Sequence, residues 1–281
     1  MNGMKTVVRV DGQGRLPRFD LIGISRGGWL AAILALALAV GSAGSGSFAF
    51  ADSAAAPALY FDTTTLDLTR VLPSPTPNDS AFTRADLDEM LAVQQKRSDA
   101  ESRLAVADAE ATIYRFAEAL GNPPGLTAKN LPKTEALFRK LVNVHISLVG
   151  AAKRSFGRPR PFLLEPRLTP LLEKPTDGSY PSGHATWARW AALILGDMVP
   201  ERRAQLIDRA NGYAYNRVVA GVHYPSDIEA GTLAGTAIVA VLYTVPDFRN
   251  DLAAATAELR QVLQLPAKPA VALPAAAAAA R

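Results

Sequence analysis

Histidines are scarce in this chain, three among 281 residues, and two of them stand where chemistry is feasible. His184 follows Pro181-Ser182-Gly183 in GSYPSGHAT (178–186), and His223 precedes Asp227 by four positions in NRVVAGVHYPSD (216–227). Three cations accompany them: Lys153, seven positions before Arg160-Pro161, and Arg217, six before His223. Ser182 is a good N-cap for a helix whose first-turn N–H groups are unpaired and carry positive partial charge. Gly183 lets an anion approach those groups, so PSGH reads as an oxyanion cradle. Arg160 and Arg217 offer forked donors to phosphate oxygens, and Lys153 adds a point charge. Together they could stabilise a phosphoryl group as charge spreads over its equatorial oxygens. His223 is assigned as the nucleophile, with Asp227 holding its other ring nitrogen. His184, with no carboxylate close in sequence, is assigned as the general acid for the leaving oxygen.

Each residue alone has a plainer explanation: Ser182 as a cap, Asp227 as a first-turn carboxylate, Lys153 and Arg217 as cations at helix C-termini. Their joint occurrence, in order and at these spacings, favours the chemical reading. The third histidine, His145 in LVNVHISLV, falls on an apolar helix face and is expected in the core. Two histidines and an aspartate could ligate a metal. Three adjacent cations would repel a divalent ion, so no metal and no cofactor are expected. With no cysteine in the chain, disulfides, thiolate zinc sites and cysteine nucleophiles are ruled out.

The elements that must position these residues are helical. From Ser80 onward, apolar-periodic stretches rich in Ala, Leu, Glu, Gln and Arg alternate with short breakers, and no alternating strand pattern appears. Helices are expected over FTRADLDEMLAVQQKR (82–97), SDAESRLAVADAEATIYRFAEALG (98–121), PKTEALFRKLVNVHISLVGAAKRSF (132–156), HATWARWAALILGDM (184–198), PERRAQLIDRANGYAYNRVVAG (200–221), and from Pro225 to about Val245. The fold class is all-α, a single helical bundle. The expected divisions are a signal segment over 1–51, an extended arm over 52–79, a helical domain over 80–250, a C-terminal helix over 251–265, and a low-complexity Ala/Pro tail over 266–281.

Arg15, Arg18 and Arg26 precede the apolar run WLAAILALALAV (29–40), and Ala49-Phe50-Ala51 fits a small-x-small cleavage site. The mature protein is therefore expected to be periplasmic or secreted, without a stable membrane span; an uncleaved anchor is the alternative. Hydrophobic residues make up 49% of the chain and the net charge is +4, with Lys and Arg scattered among acidic residues, so nucleic acid is not an expected partner. Subunit number is left open, a homo-oligomer included.

These residues resemble the type 2 phosphatidic acid phosphatase (PAP2) superfamily. Its pattern is a lysine, six residues, Arg-Pro; then Pro-Ser-Gly-His; then Ser-Arg, five residues, His, three residues, Asp. Lys153 to Arg160-Pro161, Pro181 to His184, and Arg217 to His223 to Asp227 fit every spacing. GSYPSGHAT, the export signal and VLPSPTP before the helices look closest to the bacterial class A non-specific acid phosphatases. The resemblance covers roughly residues 70 to 245. It implies an all-α fold, small-molecule phosphate esters as substrates, metal-independent hydrolysis through a phosphohistidine, and a periplasmic location. Position 216 departs from the pattern, carrying Asn where the family has Ser. A vanadium-dependent haloperoxidase, whose vanadate mimics the phosphorane, is the alternative enzyme. A lipid phosphate phosphatase, which usually has several membrane spans, and a non-catalytic phosphate-binding protein are further readings.

Overall fold

The computed structural model describes residues 59–268. The segment read as a signal, the first residues of the arm and the end of the Ala/Pro tail lie outside them. Among the described residues all regular structure is helical: α1 (Leu68–Val71), α2 (Ala81–Lys96), α3 (Asp99–Ala107), α4 (Pro132–Phe156), α5 (Pro161–Leu164), α6 (Gly183–Met198), α7 (Arg203–Val219), α8 (Pro225–Leu242) and α9 (Pro246–Val262), with short 3-10 turns between some of them. The arm before α2 is not wholly extended, because Asp62 and Asp67 each cap a helical turn, accepting from the backbone N–H of Thr64 and Thr69. The last helix opens at Pro246, earlier than residue 251, since proline at N1 is pre-set for a helix and lacks only an N–H that would go unpaired there.

Helix α6 forms the centre. Trp187, Trp190, Ile194, Leu195 and Met198 are buried on it, so it is surrounded on nearly every side, chiefly by α7 and α8. Phe116 and Tyr213 pack on Trp187, and Phe138 packs on Trp190, with ring centroids 5.0–5.7 Å apart. Truncating a buried tryptophan of this kind typically costs about 3–5 kcal/mol, a large share of a domain's stability. Helix α4 ends at Gly157, whose φ of 59° is the left-handed conformation that glycine adopts without a Cβ penalty.

The stretch 98–121 is not one helix. α3 stops at Asp108, whose fully buried carboxylate accepts from Arg115 Nε and Nη2 (2.8 and 2.7 Å), Arg209 Nη2 (2.5 Å) and Asn216 Nδ2 (2.7 Å). Helix propensity loses here because a buried carboxylate needs donors that lie across the bundle. The chain turns inward to reach them.

Helices α8 and α6 approach each other closely. A Cβ built on Gly231 would lie 2.6 Å from the Ser182 carbonyl and 2.8 Å from Ala185 Cβ, and one on Gly235 would lie 2.6 Å from the Thr186 carbonyl. Where α8 begins, the Asp227 carbonyl accepts from the Ser182 N–H at 3.0 Å. The start of α6 is thus locked to the start of α8. Gly231→Ala should lower unfolding free energy by about 2–3 kcal/mol, since backbone must shift to admit the methyl. Gly212→Ala, on the open face of α7 with nothing near its Cβ position, should raise it by about 0.5–1 kcal/mol. Denaturant unfolding of the two variants checks the contrast, and equal effects would contradict the packing described.

Candidate active site

Helix ends supply every residue of the site. Lys153 lies in the last turn of α4, Arg160 is the N-cap of α5, Ser182 is the N-cap of α6 with Gly183 and His184 following it, and Arg217 lies in the last turn of α7. His223 precedes α8 and Asp227 sits in its first turn. The structure brings all eight sequence-selected residues into one region, with Lys153, Arg160, Ser182, Gly183, Arg217, His223 and Asp227 buried and His184 partly exposed.

At the centre is the Asp227 carboxylate. Oδ2 accepts from Ser179 Oγ (2.5 Å), His223 Nδ1 (3.0 Å) and the Tyr224 N–H (3.1 Å), and Oδ1 accepts from Arg158 Nη1 (2.7 Å). Because an ionised carboxylate can only accept, Nδ1 of His223 carries the proton. The lone pair is then on Nε2, which accepts from Arg160 Nη1 at 3.0 Å. Burial pushes His223 well below the usual imidazole range, with Arg160, Lys153 and His184 adding to the push, so its ring is neutral. Burial also raises Asp227, against the opposing pull of Arg158 and the donors around it.

His184 is held from the other side. Its Nε2 lies 3.0 Å from the Ala109 carbonyl, which can only accept, so Nε2 carries a proton and Nδ1 the lone pair of the neutral ring. The ring stacks on Tyr213 at 6.1 Å, and Tyr213 donates to the Glu110 carbonyl at 3.0 Å. Burial, then Arg217, with Lys153 and Arg160 behind them, brings His184 down to about 3, so it too is neutral before an anion arrives. Asn216, the one departure from the family pattern, donates to Asp108 and so anchors the loop whose next residue holds His184.

The cations are fixed largely by backbone. Lys153 Nζ donates to the Gly178 carbonyl at 2.5 Å, Arg160 donates to the carbonyls of Asp177 (3.0 Å) and Val222 (2.8 Å), and Arg217 Nη2 donates to the Ala105 carbonyl. The buried Nε of Arg217 has no hydrogen-bond partner among the described residues. Burial pushes Lys153 down to about 8, helped by Arg160 and opposed by Asp177, which leaves it charged in acid and neutral solution. A cavity of about 600 Å³ opens beside Lys153 and Arg160, walled by Phe162, Lys174 and Asp177. His145, buried behind Gly183, accepts from Trp190 Nε1 at 3.4 Å. No group of three His, Asp or Glu among the described residues is placed to hold a metal ion.

Sequence reasoning missed Arg158, Ser179 and the Ala109 carbonyl. Arg158 is buried with its guanidinium 3.8 Å from the Tyr224 ring centroid, and it reaches Asp86 as well as Asp227. An arginine or a serine beside a motif is ordinary in composition, and a main-chain oxygen leaves no mark in the sequence at all.

A profile of the PAP2 superfamily matches residues 138–251. The chain is 30% identical over 197 residues to a non-specific acid phosphatase of Salmonella typhi, a match covering 67% of this chain and 78% of that protein. It is 32% identical over 141 residues to an acid phosphatase of Zymomonas mobilis, covering 48% of this chain and 53% of that protein. A bacterial vanadium-dependent iodoperoxidase of known structure shares 19% identity at a TM-score of 0.45, over 62% of this chain and 51% of that one.

Arg158 favours the ionised form of Asp227. Arg158→Met should therefore raise the Asp227 pKa further, so that the acid side of the pH–rate profile moves to higher pH and kcat/KM at mildly acid pH falls about tenfold. Measuring kcat/KM against pH checks this, and an unshifted acid limb would refute the coupling.

Proposed function

This chain belongs to the PAP2 superfamily, with non-specific acid phosphatases among its relatives, and on that premise we propose that it is an exported acid phosphatase cleaving phosphate monoesters through a phosphohistidine at His223. The observation that carries the mechanism is the pair of contacts at His223, Nδ1 3.0 Å from the Asp227 carboxylate and Nε2 3.0 Å from the guanidinium of Arg160, which together assign the proton to Nδ1 and the lone pair to Nε2. A nucleophilic imidazole needs that arrangement, a neutral ring with its second nitrogen held by a carboxylate.

In this reading the phosphoryl group of the ester is received by Lys153, Arg160, Arg217 and the N–H groups at the start of α6. Arg160 transfers its donor from His223 to a phosphate oxygen, and the unpaired Nε of Arg217 gains an acceptor. The incoming negative charge offsets the cations that depress His184, so His184 takes a proton on Nδ1. Nε2 of His223 then attacks phosphorus. As the N–P bond forms the bond to the leaving oxygen breaks, and His184 gives its proton to that oxygen. Asp227 stabilises the positive charge that develops on the His223 ring. In the second half His184 takes a proton from a water that attacks phosphorus, the N–P bond breaks, and inorganic phosphate departs with His223 neutral again. The charge spread over the transferring group is met by the side-chain cations and the helix N-terminus, without a metal.

Export rests on the sequence of residues 1–51. Protein recovered from the extracytoplasmic fraction of the native cell should begin at Asp52, and an intact N-terminus there would contradict cleavage.

The mechanism is tested with an aryl phosphate and chelator present. His223→Ala should lose about 10⁴-fold or more in kcat while still binding inorganic phosphate, and alkaline quench of the unaltered enzyme should trap label on the peptide holding His223. Retained turnover in that variant would overturn the nucleophile. His184→Ala should lose about 10²–10⁴-fold on alkyl phosphates and much less on good leaving groups. Equal losses across the series would remove His184 from the acid role.

A further inference from the structure

Asp177 has no part in the mechanism above, yet its carboxylate sits on two of the cations that mechanism needs. Oδ2 lies 3.0 Å from Lys153 Nζ, and Oδ1 accepts from Arg160 Nη2 at 2.5 Å. Phosphate oxygens meet ammonium and guanidinium groups at similar distances. Among the described residues no other carboxylate is in ion-pair contact with either cation. We infer that Asp177 is a built-in occupant of the anion seat, a carboxylate that the substrate's phosphoryl group displaces and that thereby weakens the enzyme's hold on phosphate. This rests on reading the seat as the phosphate site.

The alternative, that Asp177 serves to position the cations, conflicts with how they are held. Lys153 is also tied to the Gly178 carbonyl, and Arg160 to the backbone carbonyls of Asp177 and Val222. Removing the carboxylate leaves those tethers in place. The exposures point the same way: the Asp177 side chain is 56% exposed, against 9% for Lys153 and 5% for Arg160. Asp177 stands at the wall of the cavity, on the non-helical stretch before α6, where a side chain can turn toward solvent. Its charge persists in acid: partial burial would raise the carboxyl, but Lys153 and Arg160 together draw it down to about 2. A phosphate anion arriving at the seat therefore meets a negative charge already there, and two anions cannot share the same donors.

The two roles differ in sign. Asp177→Asn keeps the size and the acceptor for Arg160 but removes the charge, and Asp177→Ala removes both. Titration calorimetry of the full chain with inorganic phosphate, at pH 6 and low salt, should give a Kd about tenfold lower in Asp177→Asn than in the unaltered protein, the effect of one partly solvated charge contact. Asp177→Ala should shift the same way, and KM for an aryl phosphate should fall with it. Unchanged or weaker phosphate binding in either folded variant overturns the inference, because a carboxylate needed to place the cations gives that sign. If one variant does not fold, the other decides. Phosphate binding requires no turnover, so failure to trap label at His223 would end the phosphohistidine reading and leave the sign at Asp177 to be measured, and the reverse holds equally.

Discussion

The buried carboxylate of Asp227 is the constraint to which the rest of the structure answers. Moving an ion of this kind out of water costs several kcal/mol even after relaxation, and it is tolerated only where donors replace the lost water. Here the donors come from four places in the chain: Arg158 after α4, Ser179 before α6, the Tyr224 backbone at the start of α8, and His223 itself. Satisfying one charge therefore draws three helix ends together. The same residue, through its backbone carbonyl, holds the first N–H group of the Ser182 cradle, and the glycines of α8 let the two helices close to the distance that bond requires. Fold and site share one set of contacts.

A second consequence concerns charge. Lys153, Arg160 and Arg217 are all buried; Lys153 and Arg160 lie close enough to depress both site histidines, and Arg217 to depress His184. Such an arrangement is unfavourable by itself, since like charges in a low-dielectric setting repel. It is relieved in part by carbonyls and by Asp177, and more fully by a bound oxyanion. Affinity for anions is then a property of the strain among the cations and not of any single contact. In the proposed mechanism, proton affinity at His184 follows the anion, so that binding and acid catalysis are coupled electrostatically across the cradle.

The helical class and the clustering of the three motifs could be read from the sequence because helix periodicity and fixed spacings are local signals. Pro132, Gly157, Ser182 and Pro225 mark element ends as their chemistry requires. The break at Asp108 could not be read, because Ala-rich flanks favour a helix and the donors that override it, Arg115, Arg209 and Asn216, include two from a helix about a hundred residues away. The early start of α9 was readable in Pro246 and overlooked. Arg158 and Ser179 escaped for a different reason: an arginine or serine near a motif is ordinary in composition, and only the buried Asp227 between them makes them matter. Asp177 escaped because an exposed loop aspartate looks like solvated surface.

Much of the site is held by main chain. The Ala109 carbonyl holds His184, and the carbonyls of Gly178, Asp177, Val222 and Ala105 hold the cations. A carbonyl belongs to whatever residue occupies the position, so at the partly exposed Ala109 the side chain can change while the oxygen that holds His184 stays in place. The part of the site that rests on main-chain oxygens therefore depends on the path of the backbone and not on the identity of the residue that supplies each oxygen.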